Sequence, residues 1–570
     1  MAVVVAAAVV AVIASAWVAE VRLSPLLDPD AHDMVVRFAR GLVPADLSPG
    51  FLRVVALAAV RTVMIAVAGT VLSLGIAIPL GILGTRTLFR AGPLIDRERR
   101  SAAGRVLAWL SSAARAVLGA LRAVPDLVWA MVFVVGVGLG PVPGVLALAV
   151  SYGGVLGRVL ADLFEDVDPR PLEALRTTGA SRAQVFVFGI WPQAQPGAIA
   201  YTLYSFECGV RAAAVAGLVG AGGIGYEIAL SMRLFEYGQI VTLIGALLAV
   251  MWLTEAAGTA LRRVLRANAP AGVLAHRRLR LDRAAAAASS SRGSPLAVPS
   301  AGAVLALGAT LVAAWVYRDL IDAKTARGMG RFAGALFSPD LAPGYLATLF
   351  RPVAQTIATS VIGTLIGVVL GALLGIPAIA QAPDDDRARG AAWLVGLALR
   401  RVCRAALAVL RAVPDTLWVL VFILAVGLGP FAGTLALGVH TGGVLGKLYA
   451  DTFEEVSPLP LRGLRATGAS PLQILVWGGW PEARRMLISY TVLRWEMNLR
   501  ASTIVGVAGG GGIGLELYNK LQLGFYPQVA TITLIVGVLI AATSAIGDAI
   551  RRELEASPGV AHRRRNPPAC

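Results

Sequence analysis

The chain has 570 residues, 57% of them hydrophobic and only 15% charged, with a mean hydropathy of +0.73 and a formal net charge of +17. That apolar content excludes an ordinary soluble domain and indicates an all-α polytopic membrane protein. The basic residues fall in short loops between apolar runs, where cytoplasmic anchoring puts them, so no nucleic-acid partner is indicated; Cys208, Cys403 and Cys570 lie far apart without metal spacing and suggest neither a disulfide framework nor a zinc site.

In chain order, the opening run MAVVVAAAVVAVIASAW has the apolarity of a signal peptide but no basic n-region. A similar run, Ala303 to Tyr317, opens the second half in mid-chain, so both are expected to be transmembrane helices. Six spans are expected in the first half, near 2–19, 54–84, 104–138, 141–160, 195–219 and 238–261. The third is interrupted by Pro125, and its start has the character of an amphipathic interfacial helix, which leaves five spans per half as the alternative. The second half repeats the set near 301–317, 352–380, 391–427, 430–449, 484–508 and 527–550, giving about 10–12 helices in all.

The repeat decides the organisation. Arg122–Arg263 aligns with Arg411–Arg552 without a gap, 289 positions apart: RAVPD, GLGP, GGVLG, TGAS and GGIG each occur twice in register. Upstream, Thr62 and Gly69 pair with Thr356 and Gly363 at 294 positions, the difference falling in the first cytoplasmic loop, where length is cheap. The units are therefore drawn as 1–263 and 301–552, joined by a basic then Ala/Ser-rich linker, 264–300, and followed by a basic tail, 553–570.

Loop charge sets the orientation. Arg86–Arg105 carries six Arg against Asp96 and Glu98, and Arg262–Arg283 seven Arg against Asp282; both are expected inside. Ala19–Gly50 has five acids against three Arg and is expected outside. With six spans per half, linker, C-terminus and the polar loop after the fourth span all fall on the cytoplasmic side.

That polar loop is EALRTTGASRAQVFVFGIWP (Glu173–Pro192), returning as RGLRATGASPLQILVWGGWP (Arg462–Pro481). A short helix with small residues, then a glycine to turn the chain, can dock in a groove of a soluble partner, with charged neighbours setting its register. Pattern alone leaves a plain solvated loop as the alternative. Within the membrane, Glu207 and Arg211 stand four apart on one helix face, and Glu496 and Arg500 repeat them. Each such charge costs ~2.5–3.5 kcal/mol on insertion scales, so the charges must pair or face a watery path. Either each Glu–Arg pair is a packing salt bridge, or Arg211 and Arg500 attract an oxyanion while the Glu holds the guanidinium. His440 is a weaker path candidate, because Ser151 stands at its place in the first half.

Two motifs are rejected. GAGGIG (Gly220–Gly225) and GGGGIG (Gly509–Gly514) fit G-x-G-x-x-G, but an apolar helical run precedes each, so a flexible turn or gate at the membrane edge is expected rather than a dinucleotide site. TGGVLGKL (Thr441–Leu448) lacks the first Gly of a P-loop and the Ser/Thr after Lys447, so any ATP-hydrolysing motor must be another chain. No nucleophile–His–acid set is visible; Asp384–Asp386 reads as a solvated turn.

The polar loop resembles the EAA loop of binding-protein-dependent ABC importer permeases: Glu173, Ala174, Gly179, Ile190 and Pro192 sit on that pattern. In the second half Gly468 and Pro481 persist, but Arg462 and Gly463 replace Glu and Ala. RAVPDLVWAMVFVVGVGLGP, GVLALAVSYGGVLGRVLADLFEDV and RWEMNLRASTIVGVAGGGGIG further resemble the phosphonate-transport permeases (PhnE type), over nearly all of each half. The resemblance implies two type I importer transmembrane domains fused in one chain. It implies two ATP-binding subunits inside, an extracytoplasmic binding protein outside, ATP only at the partner subunits, and no cofactor or metal on this chain. The cargo would be a phosphorus oxyanion: phosphonate, phosphate or phosphite. Coupling would fall to Asp162, Phe164, Glu165, Glu173, Ala174, Gly179 and Pro192, and to Asp451, Phe453, Glu454, Arg462, Gly463, Gly468 and Pro481. The alternatives are a 6+6 secondary transporter driven by an ion gradient, which leaves the repeated TGAS…WP loop unexplained, and a membrane scaffold, which leaves the intramembrane charges unexplained.

Overall fold

The computed structural model describes residues 12–21, 40, 44–89, 102–234, 236–267, 334, 338–379, 391–456 and 458–556. Among these residues the regular structure is helical throughout, with no strand. The expected span 301–317, almost all of the linker and most of the tail lie outside the described residues, and of the expected span 2–19 only the part from residue 12 is described.

After a helical stretch at 12–18 (α1), the first half runs α2 (Pro49–Gly84), α3 (Ala102–Ala123), α4 (Asp126–Val137), α5 (Pro141–Glu165), α6 (Pro169–Thr177), α7 (Trp191–Ala216), α8 (Gly223–Arg233) and α9 (Tyr237–Ala267). The second half repeats it as α10 (Pro343–Ala378), α11 (Ala391–Ala412), α12 (Asp415–Val426), α13 (Pro430–Glu454), α14 (Pro458–Ala466), α15 (Trp480–Val505), α16 (Gly512–Gln522) and α17 (Tyr526–Ala556). Among the described residues, five helices are long and apolar enough to cross a membrane, or up to eight when each bent pair counts as one span. By position in the repeat, α13 and α15 take the places of α5 and α7.

The chain forms two compact units, Gly41–Gly334, and Met1–Arg40 together with Ala335–Cys570. The sequence reading drew 1–263 as one unit; the described N-terminal residues instead keep company with the second half. There the Glu20 carboxylate accepts from Arg351 at 3.0 Å and from Gln355 at 3.3 Å.

Within each unit the central contact joins the first long helix to the helix after GLGP. Small residues at four-residue intervals line it: Gly69, Ser73, Ala77 and Gly81 on α2, and Gly363, Gly367, Gly371 and Gly375 on α10. A methyl added at Gly81 would stand 3.0 Å from the Gly157 carbonyl, and one at Gly375 2.6 Å from that of Gly446. Without a hydrophobic drive between helices in lipid, such close backbone approach is how they gain contact.

The proline expected to interrupt the third span does so. α3 and α4 meet at 79° across Pro125, and α11 and α12 at 91° across Pro414. The carbonyls released at the bend are met from beyond it: Trp129 Nε1 donates to Leu121 O at 3.4 Å, and Trp418 Nε1 to Leu410 O at 3.2 Å. This is the physical reason for RAVPD followed by Trp in both halves.

The glycine motif, expected as a flexible turn, is a break between two helices. Gly220, Gly222 and Gly223 have φ of 105°, 79° and 73°, and Gly509, Gly511 and Gly512 have 108°, 71° and 71°, a region that penalises a Cβ. The chain bends by 50° between 182–221 and α8. TGGVLGKL lies wholly inside α13 and forms no phosphate loop.

Candidate functional site

The polar loop is built as a short helix laid on a platform. Pro169 and the Asp168 side chain, which accepts from Arg170 N–H at 3.0 Å, start α6. Its inner face is Leu172 and Leu175, seated on Gly189: a methyl there would stand 2.6 Å from Leu172 Cδ2 and 3.0 Å from Leu175 Cδ1. Leu461 and Leu464 of α14 sit on Gly478 in the same way, at 2.7 and 2.9 Å. This leaves Glu173, Ala174, Arg462 and Gly463 exposed on the outer face.

TGAS is the stop and restart signal. Gly179 ends α6 in the left-handed region (φ 82°), with its N–H on Arg176 O at 3.0 Å and that of Ala180 on Leu175 O at 3.3 Å; Gly468 (φ 80°) repeats both bonds onto Arg465 and Leu464. Ser181 and Gln184, and Ser470 and Gln473, then form reciprocal caps that begin the next helix. A π-helical turn follows in each half, Val185–Ile190 and Ile474–Gly479, ending just before Pro192 and Pro481, which have no N–H to give to the preceding turn. Both prolines are exposed.

Four residues expected at the docking surface have other roles. Phe164 is buried, edge-on to Phe186 with centroids 5.1 Å apart and tilted against Trp191 at 6.5 Å. Phe453 packs under Gly479, where an added methyl would meet its ring at 3.3 Å. Glu165 is held by Arg115, whose guanidinium is 8% exposed and also donates to Gly84 O at 2.6 Å. Glu454 is held by Arg404, which donates to Ala378 O at 2.9 Å. These arginines brace the end of the first long helix to the end of the helix before the docking element; they stand 289 positions apart, and extending the repeat a few residues upstream of Arg122 finds them. Asp162 is exposed and Asp451 half-buried, beside Arg158 at 3.1 Å and Lys447 at 3.9 Å.

The intramembrane acids and bases lie farther along α7 and α15. From Pro192 to Glu207, and from Pro481 to Glu496, fifteen residues of helix span about 22 Å. The expected coupling prolines and the path candidates are thus separate places on the same two helices. Arg211 is exposed and Glu207 half-buried. In the second half Glu496 is gripped from another helix: Arg551 of α17 donates to it at 2.6 Å while also holding Asp548 at 2.7 Å. The cross-helix bond from Arg551 gives Glu496 a partner that its spacing from Arg500 does not suggest. His440 Nδ1 lies 3.0 Å from the Val413 carbonyl, at the Pro414 bend, which gives it a structural duty.

One cluster escaped the sequence reading. Arg494 Nε donates to Thr441 Oγ1 at 3.4 Å, Thr441 to Asn498 Oδ1 at 2.9 Å, Asn498 Nδ2 to Thr364 Oγ1 at 2.9 Å, and Thr364 to the Ser360 carbonyl at 2.7 Å. It ties α10, α13 and α15 together through side chains.

The family model for the binding-protein-dependent transport system inner membrane component matches residues 101–268 and again 388–557, together more than half of the chain. The phosphate-import permease protein PhnE of Mycolicibacterium smegmatis is 30% identical over 95% of this chain and 93% of its own length. The phosphite transport system permease protein PtxC of Stutzerimonas stutzeri is 33% identical over 44% of this chain and 88% of its own length. PhnE2 of Escherichia coli K12, named for a cryptic phosphonate transport system, is 36% identical over 21% of this chain and 97% of its own length. Relatives shorter than this chain match about one half of it or less, as a tandem repeat of one permease unit requires.

Proposed function

The chain belongs to the family of binding-protein-dependent transport system inner membrane components, and on that footing we propose that it imports a phosphorus oxyanion, with phosphate, phosphite and alkylphosphonates as the substrate class. As a permease it is a multi-pass membrane protein and a transport component rather than an enzyme. Membership of this family does not favour a transporter driven by an ion gradient.

The reading of the mechanism rests on one observation: each half presents a short exposed helix, pinned from beneath by two leucines on a glycine and closed by a left-handed glycine. Such an element transmits force, because it is stiff toward its own unit and open toward a partner. Two ATP-binding subunits on the cytoplasmic side are the partners that suit two equivalent helices, with a binding protein delivering cargo outside. Closing of the ATP-binding subunits would push α6 and α14, and through the π-helical turns move α7 and α15. ATP binds at those subunits, not on this chain.

The test is growth. Cells deleted for this chain, supplied with phosphate, phosphite or methylphosphonate as the single phosphorus source at micromolar concentration, are expected to fail on at least one and to recover with the intact gene. Unimpaired growth on all three, with no other route for them in the strain, contradicts the substrate class.

A further inference from the structure

The two units share their helical frame but not their polar interior. At the four places that hold Arg494, Thr441, Asn498 and Thr364 in the second half, the first half has Ser205, Tyr152, Gly209 and Thr70. Only the last is shared. Tyr152 packs with an apolar cluster around Ile65, Ala66 and Val210. Gly209 leaves room beside Thr70, whose hydroxyl would stand 3.7 Å from an added methyl. The first half thus reaches the same packing with a ring and a glycine, and needs neither the amide nor the guanidinium.

Packing alone therefore does not account for the second-half cluster. Asn498 is 0% exposed, and both its amide oxygen and its amide nitrogen are engaged. Every described bond in the chain runs one way, each group donating to the next, from Arg494 to a backbone carbonyl of α10. Such a buried network restrains its end group, and Arg494 Nη1 also reaches Met497 Sδ at 3.9 Å. The end group is a half-buried guanidinium, thirteen residues or about 20 Å along the helix from Pro481 and within the expected span 484–508. A cation at that depth costs ~2.5–3.5 kcal/mol, and such residues mark ion and substrate paths. Arginine's planar fork matches tetrahedral oxyanions.

We propose that the second unit carries an oxyanion contact absent from the first: Arg494 touches the passing anion, and Thr441 and Asn498 are positioning residues that hold its guanidinium. The proposal rests on the oxyanion reading above and deepens it: recognition inside the membrane is asymmetric, although the chain is a duplicate.

The experiment uses the full transport complex in proteoliposomes and measures uptake of labelled phosphate, phosphite and methylphosphonate by Arg494→Gln, Arg494→Lys, Thr441→Val and Asn498→Asp, with thermal unfolding recorded for each. Arg494→Gln is expected to lower uptake at least tenfold and Arg494→Lys to recover most of it. Asn498→Asp, nearly isosteric, is expected to lose uptake as Arg494→Gln does, because its carboxylate captures the guanidinium. Thr441→Val should change the preference among the three anions, which a packing role would not. Wild-type rates in Arg494→Gln overturn the proposal, as does Arg494→Lys behaving like Arg494→Gln with both unfolding early. If the wild type takes up none of the three anions, the oxyanion reading itself fails and the proposal with it, a result distinct from failure of the variants alone.

Discussion

The hydroxyl of Thr62 accepts a hydrogen bond from the backbone N–H of Ile224, 162 residues later in the chain, at 2.9 Å. Thr356 does the same for Ile513 at 2.8 Å. Both hydroxyls donate in turn to a carbonyl four residues earlier in their own helix. The first turn of the helix after each glycine break is thereby fastened to the first long helix of its unit, so the break is a fixed joint rather than a slack one.

Removing that hydroxyl strands a buried N–H, at about 1–3 kcal/mol. Thr62→Val and Thr356→Val are each expected to lower the thermal unfolding midpoint in detergent, while Thr62→Ser holds it near wild type. Equal midpoints for Val and Ser would show that the bond carries no weight.

The arginine braces differ in depth, and so should their cost. Arg115 is 8% exposed and Arg404 44%. Taking one partner from a buried pair costs about 3–5 kcal/mol, whereas exposed pairs contribute about 1 kcal/mol or less. Arg115→Met should therefore destabilise the protein markedly more than Arg404→Met in a denaturation series; the reverse order would mean that the braces are not what holds these helix ends.

For the docking helix, backbone strain and partner contact can be separated. A methyl at Gly179 meets nothing within 4 Å, so Gly179→Asn, which tolerates left-handed backbone, should fold normally yet reduce co-purification of the ATP-binding subunit. Glu173→Arg, which gives the first loop the second loop's charge at that position, should weaken co-purification more than Arg462→Glu. Undiminished recovery of the partner with Gly179→Asn would move the docking surface elsewhere.

Glu496 and Arg551 form a cross-helix pair inside the second unit. Arg551→Gln alone leaves Glu496 with its described partner removed and is expected to depress both stability and uptake. Adding Glu496→Gln should restore part of the stability. A double variant as unstable as the single one would show that Glu496 has a role of its own beyond the pair.

The repeat, the break at Pro125 and the glycine turn in TGAS were legible because each is a local rule: proline breaks and glycine turns act within a few residues. Thr62 and Thr356 were visible as a matched pair, but their reason, a bond to the distant glycine break, needs the fold. Three things stayed hidden. The partners of Glu165 and Glu496 lie on other helices, and in lipid a helix is apolar toward both neighbour and solvent, so periodicity does not reveal which face meets which. Phe164 and Phe453 sit beside the docking helix in sequence, yet their rings form its floor. The Arg494–Thr441–Asn498 cluster was missed because comparing the halves picks out what they share, and this cluster is where they differ.

The most direct test of the account is uptake of labelled phosphate into proteoliposomes holding this chain with its ATP-binding subunits and binding protein, with and without ATP and with excess methylphosphonate. The account predicts accumulation that requires ATP and is suppressed by the phosphonate. Accumulation that persists without ATP, or an ATP-driven complex indifferent to phosphate, phosphite and phosphonate alike, would contradict it.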